Sequence, residues 1–264
     1  MSAVRFAYIA RELGGQLSVH RALRVHFIGL WLNQVLPTGL GGDVVKAVLV
    51  RHELGGSIAI RSVILDRLSG LIILLMHAAL FLPAYWMMFS NSKSIISISL
   101  FAAAALMGLL LASHYANWLR LRMAWLPGLT HVIGLIDDTK LFRTGDALRK
   151  QLWTSLVVHL SGIAVYAMIG KSLGVSVTLI HFALLTPLVF LIALIPVSFA
   201  GWGVRELGAI WLFGLAGASA DIALVMSILF GLILIVAGSP GLLFLLSSSM
   251  PQNCRRTADR LTEK

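Results

Sequence analysis

The sequence predicts an all-α protein: a polytopic transmembrane helix bundle with two re-entrant, broken helix hairpins in inverted arrangement. Three observations predict it. Of the 264 residues, 58% are hydrophobic and only 12% charged, and the mean hydropathy is +0.91. A soluble domain is about 45–50% apolar and about 25% charged, so this chain lacks the charge to cover a water-facing surface. Second, its apolar runs are long and unbroken. Bilayers admit only helices or closed barrels, and barrel strands alternate over about ten residues. Third, two apolar segments are interrupted by strings of proline and glycine. A cytosolic enzyme, a disordered tail and a secreted disulfide scaffold are excluded. The single cysteine, Cys254, lies in a polar tail and has no intramolecular partner.

The 264 residues read as one integral-membrane domain. Residues 1–24 carry Arg5, Arg11, Arg21 and Arg24 and no signal-peptide core; they read as a cytoplasmic N-terminus. Residues 25–52 form the first broken hairpin, with the string LPTGLGGD at 36–43. The first full span is Leu68 to Phe89, about 33 Å as a helix, enough for a core of about 30 Å. A polar turn at 91–94 leads to a second span, Ile95 to Ser113, followed by the interface pair Tyr115 and Trp118. Residues 114–150 are mixed and basic and read as amphipathic helices on the cytoplasmic surface. Leu152 to Gly170 is the third span. Residues 177–218 form the second broken hairpin, with PVSFAGWGVRE at 196–206. Ile222 to Ser248 is the last span, with a kink expected at Pro240. Residues 249–264 are a basic cytoplasmic tail.

Charge sets the expected orientation. With the N-terminus, residues 114–150 and the tail inside, only Lys93 and Lys171 fall in outer loops, as the positive-inside rule asks. The third span then ends outside and the tail lies inside, so the last span alone closes the gap. Residues 177–218 should therefore enter and leave on the outer side. Residues 25–52 should do so on the inner side. Val177 to Ile195 is 19 residues, long enough to cross as well.

The two broken segments align. In VLPTGLGGDVVK (35–46) and LIPVSFAGWGVR (194–205), Pro37 matches Pro196, Gly42 matches Gly201, and Lys46 falls opposite Arg205, at a constant offset of 159. Gly41 faces Ala200, and Gly39 faces Ser198. Short Gly/Pro strings also recur by chance in apolar chains. Paired, interrupted hydrophobic segments are nevertheless the best sequence pointer to a transporter's binding site. Proline and glycine stop one helix and a new one starts. Its first amides are free and its dipole is positive there, which suits an anion such as a phosphate. Lys46 and Arg205 sit where a cation reinforces that site. Asp43 fits either a helix cap or an i,i+3 partner of Lys46.

The other charges near membrane depth are Asp66, Arg67 and Glu206. Adjacent residues on a helix point about 100° apart. Partners on other helices are therefore expected for Asp66, Arg67, Arg205 and Glu206. Asp66 and Arg67 also fit a plain marker of the span's cytoplasmic end. Asn33 fits helix-to-helix glue or a ligand contact. His77, His159 and His181 read as bundle residues, and Asp137 and Asp138 as a solvated loop.

NQVLPTGLGGDVVKA (33–47), VILDRLSGL (63–71) and IPVSFAGWGVRE (195–206) resemble the hallmark segments of the lysylphosphatidylglycerol synthase transmembrane family, also called flippase-like. The resemblance runs from about residue 20 to 248. It implies an inner-membrane protein that moves lipids between leaflets. In the full synthases the corresponding domain flips an aminoacylated phospholipid made by a separate soluble domain. The positions carried over are Asn33, Pro37, Gly41, Gly42, Asp43 and Lys46, then Asp66, Arg67 and Gly70, then Pro196, Ser198, Gly201, Gly203, Arg205 and Glu206. Family members usually begin with one or two more apolar helices, so a truncated start is expected. The soluble synthase domain is absent from these residues, so lysyl transfer is not carried over.

The expected function is therefore binding or translocation of an anionic phospholipid. The alternatives are a non-transporting membrane partner or fragment of a lipid-modifying system, and an enzyme on lipid-linked substrates. For the last there is no H-E-x-x-H, no G-x-S-x-G and no paired cysteine, so no catalytic residue, metal site or cofactor is expected. The expected partners are membrane phospholipid, a lipid-modifying enzyme or a second copy of the chain. The basic residues are scattered rather than interleaved with aromatics, so nucleic acid is not among them.

Overall fold

The computed structural model describes residues 1–36, 41–89, 92–115, 145–195 and 201–247, with isolated positions 118, 122, 135 and 138. All regular structure among them is helical. The helices are α1 (Ser2–Glu12), α2 (Val19–Val35), α3 (Gly41–Leu54), α4 (Gly56–Leu80), α5 (Leu82–Met88), α6 (Lys93–His114), α7 (Gly145–Ser172), α8 (Leu179–Ala193), α9 (Val204–Leu215) and α10 (Ala220–Ser247). Four of them, α4, α6, α7 and α10, are long and apolar enough to cross a membrane. At 15 residues, α8 reaches about 22 Å, short of a full hydrocarbon core.

The second and last spans agree closely with the sequence reading; the helix of the third begins at Gly145 rather than Leu152, and the first differs more. It begins at Gly56 rather than Leu68 and ends at Leu80. Asp66 and Arg67 lie inside this helix, and both charges are paired. The stop comes from Pro83, in the first turn of α5. It has no N–H to donate and its ring opposes the carbonyl four residues back.

The N-terminal 24 residues hold more structure than their charge suggests. The first helix, α1, buries Ala3, Phe6, Ala7 and Ala10, the spacing of one apolar helical face, together with Arg5 and Ile9. It packs on α2, α4 and α7. Residues 116–144 fall almost wholly outside the described residues, and from Gly145 the chain already belongs to α7. Asp138 is not free in solvent: it accepts two hydrogen bonds from the Arg61 guanidinium on α4.

Two buried clusters hold the bundle together. The smaller joins α1 to α4 through Phe6, Val25, Val50 and Val63. The larger gathers Tyr85, Tyr166, Phe182, Phe213 and Phe230 and draws on α4 to α10. Without a hydrophobic drive between helices in lipid, close approach through small residues matters. At the α2–α3 crossing, a Cβ added to Gly42 would stand 1.9 Å from the Gly29 carbonyl oxygen. At the α2–α10 crossing, one added to Gly241 would stand 2.1 Å from the Phe27 carbonyl oxygen. The last helix, α10, thus seats α2 on one side, and it also packs against α9.

Candidate functional site

Each helix that follows a break carries a buried cation. In the first half, α3 starts at Gly41 and places Asp43 and Lys46 on one face, with Lys46 Nζ 3.5 Å from Asp43 Oδ1. Opposite them, α4 presents Asp66, whose Oδ2 accepts from Lys46 Nζ at 3.2 Å. Asp66 Oδ1 accepts from Arg5 Nε on α1 at 2.7 Å. Asp43 Oδ2 accepts from Arg67 Nε, also on α4. The result is a chain of alternating charge, Arg5–Asp66–Lys46–Asp43–Arg67, across three helices. Lys46 and Asp66 are each only 4% exposed. Charges so buried must be paired, because an isolated one is strongly disfavoured. The Lys46 ammonium also stands 4.8 Å from the centre of the Phe6 ring, and its stem lies against Gly29.

In the second half, the turn before α9 uses Gly201 (φ +81°) and Gly203 (φ +83°), a backbone region that L side chains avoid. Arg205 Nη2 donates to Glu206 Oε1 at 2.9 Å, and Arg205 Nε donates to Ser227 Oγ on α10 at 3.2 Å. The Ser227 hydroxyl in turn donates to Glu206 Oε1 at 3.0 Å. The guanidinium lies over Trp202, 4.8 Å from the ring centre. Arg205 is 3% exposed.

Both sites depart from the expected open anion cradle. The Gly42 N–H at the start of α3 donates to Asn33 Oδ1 at 2.8 Å. The Gly203 N–H before α9 donates to Glu206 Oε2, a side chain reaching back over its own helix start. These amides, and both cations, already have protein partners. An incoming anion must therefore exchange with a carboxylate. Partners on other helices are found for Asp66 and Arg67. Arg205 and Glu206 also find one, Ser227 on α10, and in addition their two long side chains bend toward one another and meet. Pro37, Pro196 and Ser198 lie outside the described residues.

Arg5, Ser227 and Trp202 join these candidate clusters without having stood out in the sequence, as does Ser155, whose Oγ accepts from Arg5 Nη1 at 2.8 Å. The Arg5 signal was present, because Arg5 is the only charge in the stretch AVRFAYIA, which has the small-residue spacing of a packed helix.

A sequence profile described as Lysylphosphatidylglycerol synthase TM region matches residues 1–240. The chain belongs to this family. No curated protein and no solved structure matches it. Membership in the lysylphosphatidylglycerol synthase TM family, with four helices able to cross a bilayer, makes it a multi-pass membrane protein. The family match runs from α1 well into α10 and so contains both charge clusters.

Within this family member the internal repeat is longer than the two breaks. At the end of α1, the Gly15 N–H donates to Ala10 O and the Gly14 N–H to Arg11 O. At the end of α7, the Val175 N–H donates to Gly170 O and the Gly174 N–H to Lys171 O. These are the same helix-ending motif, with Gly14 at φ +90° and Gly174 at φ +73°. Ser18 and Thr178 then precede α2 and α8 in matching extended conformations. The glycines lie one residue further apart than the prolines. The repeated unit thus runs helix, glycine stop, helix, break, helix.

Proposed function

We propose that the protein binds the phosphate of an anionic phospholipid at Lys46 and Arg205 and passes it between leaflets of the inner membrane, with its C-terminal tail in the cytoplasm. The observation that carries this reading is the pair of buried cations, one on each helix that restarts after a Pro/Gly string. Each is neutralised by a carboxylate that a phosphate could replace. Membership in a family named for the transmembrane part of a lipid-modifying system supports a lipid as the ligand. Helix starts favour anions, and an ion at membrane depth needs a countercharge. In this proposal the hairpins 25–52 and 177–218 open to opposite faces, so that the cations act in turn.

The test is translocation of a fluorescent phosphatidylglycerol in proteoliposomes, read by quenching from outside. Lys46→Ala and Arg205→Ala are each expected to lower the rate at least tenfold while the protein still inserts. Unchanged rates in both variants would remove the mechanism.

A further inference from the structure

A phosphate that replaces a carboxylate on a buried cation leaves that carboxylate behind, and the two halves differ in what then holds it. In the first half the displaced groups keep other cations: Asp66 holds Arg5, and Asp43 holds Arg67. In the second half, among the described residues, Glu206 is paired with Arg205 alone. Between Lys171 and Arg255 the only Asp, Glu, Lys or Arg residues are Arg205, Glu206 and Asp221, and Asp221 is exposed in the first turn of α10. Helices α8 and α10 pack on α9. His181 of α8 stands in the first turn of that helix, at the far end from the break, against Thr178 Oγ1. From α10 comes the neutral Ser227, and the hydroxyl of Tyr166 on α7 is within electrostatic reach of Glu206. The Arg205 guanidinium is itself hemmed in. Trp202 and Phe230 lie 4.8 and 5.8 Å away at their ring centres, and a Cβ added to Gly231 would stand 2.5 Å from Nη2. The contact an anion can take over is the one that Glu206 Oε1 now makes.

We propose that Glu206 takes up a proton when a lipid phosphate binds Arg205, one proton for each lipid, and returns it to water when the phosphate leaves and the ion pair re-forms. The proposal rests on the lipid-binding reading above. Arg205 and a singly charged phosphate balance one another, so an ionised Glu206 beside them is a buried charge without a countercharge, which is strongly disfavoured. The neutral acid is well served in the same place. Its Oε2 goes on accepting from the Gly203 N–H, and its proton is donated to the Ser227 hydroxyl, which now donates to Glu206. Asp66 and Asp43 keep Arg5 and Arg67, so lipid binding at Lys46 needs no proton. Proton linkage is thereby a property of the second half alone.

The experiment adds short-chain phosphatidylglycerol to the detergent-purified full chain in weakly buffered solution. Proton uptake is read with a pH indicator and lipid binding by native mass spectrometry. Lys46→Ala confines the lipid to the second half, and there uptake should approach one proton per bound lipid. Its affinity should weaken about tenfold for each unit of rising pH once Glu206 is ionised in the free protein. With Glu206→Gln, binding should proceed without uptake and independently of pH. Phosphatidylcholine, whose headgroup brings its own cation, should cause no uptake. A melting curve confirms that each variant folds, and the unaltered chain should show uptake in the same assay. Phosphatidylglycerol that binds to the unaltered chain and to Lys46→Ala without uptake overturns the proposal. So does uptake that survives Glu206→Gln or that phosphatidylcholine provokes equally. Failure of the lipid-binding reading looks different: phosphatidylglycerol then shows no saturable binding to the unaltered chain, and the proton linkage falls with it.

Discussion

The two halves of the molecule use one local device in different surroundings. In both, a helix restarts after proline and glycine and carries a buried cation near its start. In the first half, Lys46 on α3 is held by Asp66 on α4, which is held in turn by Arg5 on α1. Moving α3 away from α4 would pull those ions apart. In the second half, Glu206 sits on the same helix as Arg205. Moving α9 away from α10 would leave the ion pair intact and break the hydrogen bonds to Ser227 and the contact with Phe230. The first site is thus an interlock between helices, and the second is nearly self-contained. A shared sequence motif does not by itself set how tightly a site is tied to its neighbours; the origin of the countercharge does.

The largest expected effect follows from Asp66→Asn. It leaves Arg5 and Lys46 buried without their shared carboxylate, and stability should fall by about 3–5 kcal/mol. The loss would be read as a drop in the thermal midpoint in detergent. A loss below about 1 kcal/mol would mean that the interlock does not exist. Glu206→Gln should cost less, about 2 kcal/mol, because an amide oxygen can still accept from the Gly203 N–H and Arg205 keeps Ser227 and Trp202. If it costs more than Asp66→Asn, the ranking of the two sites is reversed. The smallest effect is expected from Ser227→Ala, about 1 kcal/mol, in the same assay. A cost comparable to Asp66→Asn would show that α9 is tied to α10 as firmly as α3 is to α4.

Much of this arrangement was legible in the sequence. The spans of α6, α7 and α10 follow from apolar length alone. Asp43 and Lys46 stand out at the first break, Asp66 and Arg67 as charges near membrane depth that demand partners, and the structure joins the two pairs. Four features were hidden. Arg5 was absorbed into a basic terminal stretch, because a count of charges does not show which side of a helix is buried. The start of α4 was placed too late, because Asp66 and Arg67 look like a boundary until their partners are known. The Arg205–Glu206 contact was set aside on the angle between adjacent positions, which ignores the reach of two long, flexible side chains. Asp138 was read as solvated because its partner, Arg61, lies 77 positions away in sequence.

The last helix draws the halves together. It lies against α2 through Gly241 and against α9 through Ser227 and Phe230. Helices of both halves therefore pack on one common shaft. Pro240 falls within that shaft and removes one rung of its backbone ladder.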